Sequence, residues 1–329
     1  MDQFLSQFEH DQVVYRTASG AQITGDSRDL IQHLPDESID LLITSPPFPL
    51  LRKKAYGNED QTEYVDWLAE FVHLAHPKLK QTGSLVVDLG GAYRRGVPVR
   101  SLHQFRFVVK VVDEIGYHLA EEFFWYNPSK LPSPIEWVNK RKIRAKDAVN
   151  TVWWFSKTEW PKADVSRVRV PYSGRMKQLL EDPESFYTAG ERPSQHSISD
   201  RFGTDNGGAI PSNLLPIANT DSNSYYIRTA RDLGITSHPA RFPQALPLFF
   251  IQMLTCDDDL VLDIFSGSNT TGSVAQRAGR RWLAFEADRE YAALSLLRFL
   301  EGTENEEPGD AEKVYEKALI DTVDLRDWV

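Results

Sequence analysis

The chain has little of several features that identify common classes of protein. It holds one cysteine, Cys256, among 329 residues, which excludes an internal disulfide framework and a cysteine-based metal cluster. It has no apolar run near the ~20 residues that a membrane-spanning helix needs. Its N-terminus, MDQFLSQFEHDQ, lacks the basic start and apolar middle of a signal peptide. We therefore expect a cytoplasmic protein.

Basic residues are also in deficit. Lys and Arg number 37 against 47 Asp and Glu, so the net charge is −10, whereas binding to nucleic-acid phosphates requires positive charge. One stretch, 130–146, departs from this average. It contains Lys130, Lys140, Arg141, Lys142 and Arg144. Such a run is most often a solvated face, and contact with phosphates is the alternative.

What the chain does have is an alternation of apolar runs and helical spacing. IDLLITS (39–45) and SLVVDL (84–89) indicate buried strands, and HLAEEFFWY (118–126) indicates a further strand. TEYVDWLAEFVHLAHPKLK (62–80) and FRFVVKVVDEIG (105–116), which lie between them, have helical spacing. DLVLDIFSG and RRWLAFEAD are strands of the C-terminal half. The pattern predicts an α/β fold with a doubly wound, mostly parallel sheet.

The periodic pattern is interrupted once. Residues 157–233 are rich in Pro, Gly, Ser and Asn, and they are too many for an ordinary connection, which predicts a loop-rich insertion. The segments on either side are 1–156 and 234–300, and 301–329 forms an acidic C-terminal tail with an amphipathic helix. We predict that PARFPQALPLFFIQMLT is a helix that begins at its prolines.

The loop FSGSNTTG follows the strand that ends near Asp263. A phosphate-binding P-loop would require lysine where Ser273 stands, and a dinucleotide-binding loop would require glycine at Asn269. The next strand ends on Glu286, where a carboxylate is placed to hold the two hydroxyls of a ribose. Capping of the following helix is the alternative role for Glu286. The loop therefore predicts a nucleoside site without phosphate hydrolysis.

The first strand ends on Ser45-Pro46-Pro47-Phe48. Two prolines after a strand are usually a stop signal, but ligands in open sheets bind at the carboxyl ends of strands, so this motif and the glycine loop can share one pocket.

These motifs resemble the DNA amino-methyltransferases, which transfer a methyl group from S-adenosylmethionine to an exocyclic amine. SPPF precedes the cofactor loop, which is the order of the β group. More closely, the chain resembles the PvuII-type N4-cytosine methyltransferases. This likeness extends to about Phe299 and is carried by TSPPF, LRKKAYGN, VDLGGAY, NPSKLPSPIEWVNKRKIRAKDAVNTVWWFSKTEWPK, DNGGAIPSNLL, HPARFP and DIFSGSNTTG.

The resemblance implies an S-adenosylmethionine-dependent methyltransferase fold and direct in-line transfer to a base swung out of duplex DNA. Ser45 and the carbonyl of Pro46 would accept from the target amine, Pro46 and Pro47 would hold the strand-end carbonyls, and Phe48 would stack on the base. Asp88 would help to remove the surplus proton, or would instead cap the backbone of Gly90-Gly91. Transfer to ring carbon C5 is excluded because Cys256 follows Thr255 rather than a proline.

The resemblance also implies the binding residues. The set for S-adenosylmethionine is Asp26, Thr44, His238, Pro239, Asp263, Phe265, Gly267, Ser268, Asn269, Thr270 and Glu286. Asp26 is equally a candidate helix N-cap, and His238 is more often a packed turn residue. Lys130, Lys140, Arg141, Lys142 and Arg144 would contact phosphates, and the insertion would read bases.

The implied partner is double-stranded DNA, with methylation of the inner cytosine of CAGCTG, and a cognate restriction endonuclease is a possible companion that makes no direct contact. No metal is expected. Three alternatives stay open: an adenine-N6 DNA methyltransferase, a protein-glutamine methyltransferase, and a DNA-binding protein that has lost catalysis.

Overall fold

The strands form one sheet in which parallel neighbours predominate. The computed structural model describes residues 1–48, 63–94, 96–182, 203–220, 224–303 and 307–328. The strands are Val13–Arg16 (β1), Gly20–Thr24 (β2), Ile39–Thr44 (β3), Leu79–Leu89 (β4), His118–Tyr126 (β5), Val149–Ser156 (β6), Leu214–Pro216 (β7), Leu260–Asp263 (β8), Arg281–Glu286 (β9) and Val323–Asp324 (β10).

Their order across the sheet is β10-β1-β2-β9-β8-β3-β4-β6-β5-β7. The pairs β1–β2, β4–β6 and β5–β6 are antiparallel, and the other neighbours are parallel. The chain moves from β3 to β4 on one side of β3, and β8, which returns much later, lies on its other side. The strand order therefore reverses between β3 and β8, and the predicted doubly wound fold is confirmed.

Helices cover both faces of the sheet. They are Asp2–Leu5 (α1), Ser27–Gln32 (α2), Tyr64–Ala75 (α3), His103–Lys110 (α4), Gly174–Glu181 (α5), Tyr225–Asp232 (α6), Ala245–Leu254 (α7), Thr270–Arg277 (α8), Arg289–Leu294 (α9), Leu297–Leu300 (α10) and Pro308–Ile320 (α11).

The buried run of β3 shows why two helical layers are needed. Every residue of β3 is buried, and successive side chains point to opposite faces. Leu42 belongs to the core that also contains Leu68 of α3, whereas Ile43 lines a small cavity with Phe250 of α7. A continuous apolar run is thus accounted for by a central strand that is covered on both sides.

The chain divides into two compact units, Met1–Ala163 with Asn213–Val329, and Asp164–Ser212. In the second unit, α5 begins after Ser173, whose side chain accepts from the backbone N–H of Met176, and Val170 forms an isolated bridge with Ala209. This unit is shorter than the predicted insertion of 157–233. Residues 213–233 belong to the first unit because β7 pairs with β5 and α6 packs against α10 and α11.

Two further boundaries differ from the sequence prediction. Helix α7 begins at Ala245, so the segment from Pro239 to Gln244 precedes the helix instead of opening it. The residues of 301–329 that the structure describes are part of the main unit and not a separate tail. Strand β10 pairs with β1, and Val314, Val323 and Leu325 are buried. An acidic composition concealed these apolar positions.

Within the described residues, no helix combines the length and apolar character that crossing a membrane requires.

We predict that the C-terminal segment contributes to global stability. Leu325 is 1% exposed, so Leu325→Ala should lower the free energy of unfolding by about 2–5 kcal/mol through lost burial and a residual cavity. Ile320 of the same segment is 85% exposed, and Ile320→Ala should stay within about 0.5 kcal/mol of the wild type. Urea denaturation measures both. Equal, small effects would mean that this segment is an accessory to the fold.

Candidate active site

The two loops singled out in the sequence meet where the strand order reverses. Strands β3 and β8 are parallel neighbours, so Ser45 and the loop after Asp263 lie at the same edge of the sheet. The Thr44 hydroxyl donates to Asp263 Oδ1 at 2.7 Å, and both residues are buried. This side-chain hydrogen bond joins the end of the SPPF strand to the base of the glycine loop.

A carboxylate at the end of β4 completes the SPPF end of the site. Ser45 Oγ lies 3.2 Å from Asp88 Oδ2, and Asn150 Nδ2 donates to Asp88 Oδ1 at 3.1 Å. Asp88 is buried, and this burial raises its pKa to about 6, although the hydrogen bonds from Asn150 and Ser45 lower it. A group with this pKa accepts and releases protons near neutral pH. These side-chain partners account for Asp88 without a backbone cap.

Asn150 was not anticipated from the sequence. It is the second residue of β6, and the antiparallel pairing of β6 with β4 brings it beside Asp88. A polar residue at the start of an apolar strand is the only signal that pointed to it.

Pro46-Pro47-Phe48 continues from β3 without a strand hydrogen-bond ladder. Pro46 is buried, Phe48 is half-buried, and the Phe48 ring packs close to the backbone of Gly90. A Cβ at Gly90 would lie 2.5 Å from Phe48 Cε2, so the glycine is required for the ring to occupy this place. The loop after β4 thereby supports the aromatic ring next to Ser45. LRKKAYGN, which follows at 51–58, lies outside the described residues.

Asp263 organises the glycine loop. Besides the Thr44 bond, its carboxylate accepts from the Thr271 hydroxyl at 2.6 Å and from the backbone N–H of Phe265 at 3.1 Å. Burial raises its pKa above the ordinary value, against these hydrogen bonds. Asp263 thus holds the loop from within the protein, which is a different task from direct contact with a ligand.

The loop itself is closed by Asn269. This residue adopts left-handed backbone geometry, with φ of 49°, and its side chain accepts from the backbone N–H of Gly272 at the start of α8. Its Nδ2 donates to the Tyr15 hydroxyl at 2.9 Å, and Tyr15 is 2.7 Å from Ser295 Oγ. Asn269 is buried, so it shapes the loop from behind.

Ser268 and Thr270 are also buried in this loop, and their hydroxyl oxygens lie 3.4 Å apart. Arg298 donates to the Ser268 carbonyl at 2.6 Å and lies 4.7 Å over the Tyr226 ring. Arg298 was not anticipated from the sequence. An arginine inside the apolar segment LSLLRFL signals a buried partner, because an unpaired buried charge is costly.

Glu286 ends β9 beside this loop. Its two oxygens accept from the backbone N–H groups of Gly267 at 2.8 Å and Asp288 at 3.1 Å. Burial raises its pKa to about 7, against these two bonds. The N-cap of the following helix α9 is Asp288, which accepts from Glu290 and Tyr291. The alternative role of Glu286 as a helix cap is therefore taken by Asp288.

Two more residues predicted to bind the cofactor, Asp26 and Phe265, lie near the same edge of the sheet and have structural contacts there. Asp26 caps α2 and forms an ion pair with Arg28 at 2.6 Å, and it follows Gly25, whose N–H donates to the Glu286 carbonyl at 3.1 Å. The Phe265 ring packs against Trp67 and Phe71 of α3.

His238 packs directly against the loop. Its ring lies 2.9 Å from where a Cβ of Gly267 would be, so the left-handed Gly267, with φ of 51°, is required here. The ring contacts Tyr291 edge-on and Nδ1 is 2.7 Å from the Ala240 carbonyl, while Pro239 is exposed. His238 is thus a packed turn residue that borders the loop.

The basic run lies between β5 and β6. Lys140 and Arg141 both form ion pairs with Glu136, and Arg144 donates to the Pro98 carbonyl. Lys142 has left-handed backbone geometry and is exposed, and Lys130 is half-buried. The charges of this run are accessible to solvent, with the exception of the partly covered Lys130.

Comparison with known proteins gives a consistent family. A family model described as DNA methylase matches residues 39–296. The chain is 59% identical over 293 residues to the type II methyltransferase M.PvuII of Proteus hauseri, covering 89% of this chain and 87% of the relative. It is 25% identical to the type II methyltransferase M.BglII of Bacillus subtilis, with coverages of 82% and 66%.

Solved structures of DNA methyltransferases also match this chain. A structure of the cytosine-N4-specific PvuII DNA methyltransferase matches with a TM-score of 0.78 and 49% identity over 95% of this chain and 98% of that one. A DNA modification methylase of Thermus thermophilus, solved with S-adenosyl-L-methionine, matches with a TM-score of 0.52 at 19% identity over 86% and 95%. This second likeness concerns the fold.

We predict that Asp88 titrates near pH 6, well above the ordinary value of 3.8, because it is buried. Asn150→Ala should raise its pKa further, since the Asn150 amide stabilises the charged carboxylate. Carbon-13 NMR of the carboxyl carbons across the acid to neutral range, assigned with Asp88→Asn, measures both.

Asn219→Ala is the control for this titration, because that amide donates to the Arg241 carbonyl instead. An Asp88 pKa near 3.8, or one that Asn150→Ala leaves unchanged, would contradict the role given to burial and to Asn150.

Proposed function

The chain belongs to the N6/N4 DNA methylase family, and from that premise we propose that it transfers a methyl group from S-adenosylmethionine to N4 of cytosine in duplex DNA. The observation that carries the proposal is the junction of Ser45, Asp88 and Asn150 with the glycine loop through the Thr44–Asp263 hydrogen bond. It supports a site that holds an amine beside a nucleoside.

The amine is the difficult group in this reaction, because its lone pair is delocalised into the ring of the base. Hydrogen-bond acceptors on the amine hydrogens localise that lone pair on nitrogen. When the Ser45 hydroxyl donates to Asp88, its lone pairs remain free to accept from the amine. The Pro46 carbonyl is the second acceptor, and the fixed φ of the prolines keeps the backbone in place.

Proton removal falls to the same pair. After methyl transfer the nitrogen carries a surplus proton, which Ser45 can relay to Asp88. With a pKa of about 6, Asp88 is mostly ionised at neutral pH and able to accept it. Below that pH the carboxyl is protonated, so turnover is expected to fall as the medium becomes more acidic than about pH 6.

Phe48 supplies the surface on which an extruded cytosine stacks. Enzymes that modify a base must take it out of the duplex and hold it against aromatic or apolar groups. The half-buried Phe48 ring, supported by Gly90, lies two residues after the Pro46 acceptor in the chain.

S-adenosylmethionine supplies a methyl group on a positively charged sulfur, which makes that methyl reactive toward nitrogen. The hydrogen-bonding groups at this edge of the sheet fit the nucleoside part of S-adenosylmethionine. Each oxygen of Glu286 accepts one backbone N–H, which leaves a lone pair on each for a ribose hydroxyl. Asp26, Phe265 and His238 border this position, and Asp263, Ser268, Asn269 and Thr270 hold the loop.

We also propose the target site. The relationship to M.PvuII, at 59% identity, supports CAGCTG with methylation of the inner cytosine. Lys130, Lys140, Arg141, Lys142 and Arg144 contact phosphates in this proposal, and the insertion reads base edges. A companion restriction endonuclease and action in the cytoplasm belong to the same proposal.

Incubation with tritiated S-adenosylmethionine and duplex DNA, followed by nucleoside analysis, tests the reaction. Label in N4-methylcytosine is expected. Label in N6-methyladenine would indicate the adenine enzyme, and binding of DNA without transfer would indicate lost catalysis.

Sequencing of plasmid from an expressing strain for N4-methylcytosine tests CAGCTG separately, because methylation at another motif would refute only the specificity.

We predict that Ser45→Ala and Phe48→Ala each lower turnover by about 100-fold, because both groups act on the base in the transition state. Affinity for S-adenosylmethionine, measured by calorimetry, should stay close to the wild-type value. Ser38→Ala, in the turn before β3, and Phe105→Ala, on the exposed side of α4, are the matched controls. Wild-type turnover in either site variant would disprove the assignment.

Glu286→Ala should weaken cofactor binding before it affects anything else, because two charge-assisted hydrogen bonds to the ribose are lost. With a pKa of about 7, the ionised acceptor should also make wild-type affinity lower on the acidic side of neutrality. Asp288→Ala removes the true cap of α9 and is the control, since it should lower stability without this loss of affinity. Unaltered affinity in Glu286→Ala would contradict the ribose contact.

A further inference from the structure

The loop between β5 and β6, residues 127–148, exposes large apolar side chains. Leu131 is 80% exposed, Ile135 is 61% exposed and Ile143 is 47% exposed. Exposed apolar side chains next to a functional site are candidates for contact with a partner.

The loop is held in a defined shape. At its base the Asn127 N–H donates to the Ala148 carbonyl at 2.8 Å. Further along, the Asp147 N–H donates to Ser133 at 3.0 Å and the Ile143 N–H donates to Trp137 at 2.9 Å. Lys146 Nζ donates to the carbonyls of Pro128 and Lys130, both at 3.2 Å. Leu131 is therefore presented to solvent by a hydrogen-bonded framework.

The loop also lies at the edge of the sheet that carries the site. It begins where β5 ends and closes where β6 begins, and Asn150 of β6 is bonded to Asp88. Leu131 is four residues beyond Asn127, so its backbone is within about 14 Å of the sheet edge. The Lys130 ammonium is near enough to lower the pKa of Asp88.

Charge identifies the partner. Leu131 adjoins Lys130, and the same loop carries Lys140, Arg141, Lys142 and Arg144, while the whole chain has a net charge of −10. An apolar tip within a basic loop is complementary to duplex DNA, which presents phosphates on its outside and stacked, apolar base faces within.

We propose that Leu131 inserts into the duplex and occupies the space that the target base leaves when it is swung out. This inference rests on the proposed function, since only extrusion of a base creates such a space. Apolar side chains between base steps stabilise unstacked DNA in other proteins. Leu131 is the strongest candidate in the loop because it is the most exposed and is not branched at Cβ. Leu131 is thus a positioning residue, which acts on the base through the DNA.

Fluorescence of 2-aminopurine, placed at the adenine of CAGCTG on the strand opposite the target cytosine, tests the proposal because this base analogue brightens when it is unstacked. There it keeps its pair with thymine and stacks on the guanine that the extruded cytosine leaves unpaired. Leu131→Ala should lose most of the fluorescence increase, and its turnover on a normal duplex should fall about tenfold or more. Affinity for the duplex should change little, because phosphate contacts dominate it. Leu131→Met, which keeps an apolar side chain of similar length, should restore both signals.

Two controls separate insertion from a general defect. Leu119→Ala alters an exposed leucine at the opposite end of β5 and should behave as the wild type. A duplex with a mispaired target base, which is easier to extrude, should restore most of the turnover of Leu131→Ala.

Three outcomes are decisive. Wild-type fluorescence and turnover in Leu131→Ala would overturn the insertion, as would an equal loss on matched and mispaired duplexes. If the wild type transfers no methyl group to any DNA, the proposed function itself fails.

Discussion

The buried carboxylate of Asp263 is the constraint on which the rest of the site depends. It accepts from Thr44, Thr271 and the backbone of Phe265, and thus ties β3 to the glycine loop and to the start of α8. A buried carboxylate is tolerated only when donors surround it, so each of these partners is constrained in turn. The loop on the other side is held by Asn269, Tyr15 and Arg298. The two halves of the site, far apart in sequence, are joined through polar groups that solvent does not reach.

Burial raises the pKa of both carboxylates that face the site, but their hydrogen-bond partners differ. Both Asp88, with a pKa of about 6, and Glu286, with a pKa of about 7, are shifted upward by desolvation. Asp88 is hydrogen-bonded to two side chains, Ser45 and Asn150, which suits a group that exchanges a proton. Glu286 is hydrogen-bonded to two backbone N–H groups, which suits a fixed acceptor. One physical effect thus prepares two acids for different tasks, according to what surrounds them.

Several functional side chains are held in place by neighbouring backbone. Gly90 permits the approach of Phe48, and Gly267 permits that of His238, so both aromatic rings lie against backbone where a side chain would not fit. The loop 127–148 holds Leu131 outward by backbone hydrogen bonds. The backbone around these side chains therefore fixes their positions before a ligand arrives. Because they are already ordered, little conformational entropy is lost when the ligand binds.

Local pattern alone determined the buried strands, the helices α3 and α4 and the two loops that end β3 and β8, because apolar periodicity and strand-ending Pro and Gly are local signals. The order of those loops, and the family it implies, was also readable from the sequence. Only the tertiary structure decided that Asn150 and Arg298 belong to the site, that Asp288 and not Glu286 caps α9, and that β10 completes the sheet. Except for the local cap by Asp288, each of these depends on contacts between residues distant in sequence. Strand pairing, and burial of a charge against a remote carbonyl, produce no periodic pattern in the sequence. They form only when the complete sheet brings the distant residues together.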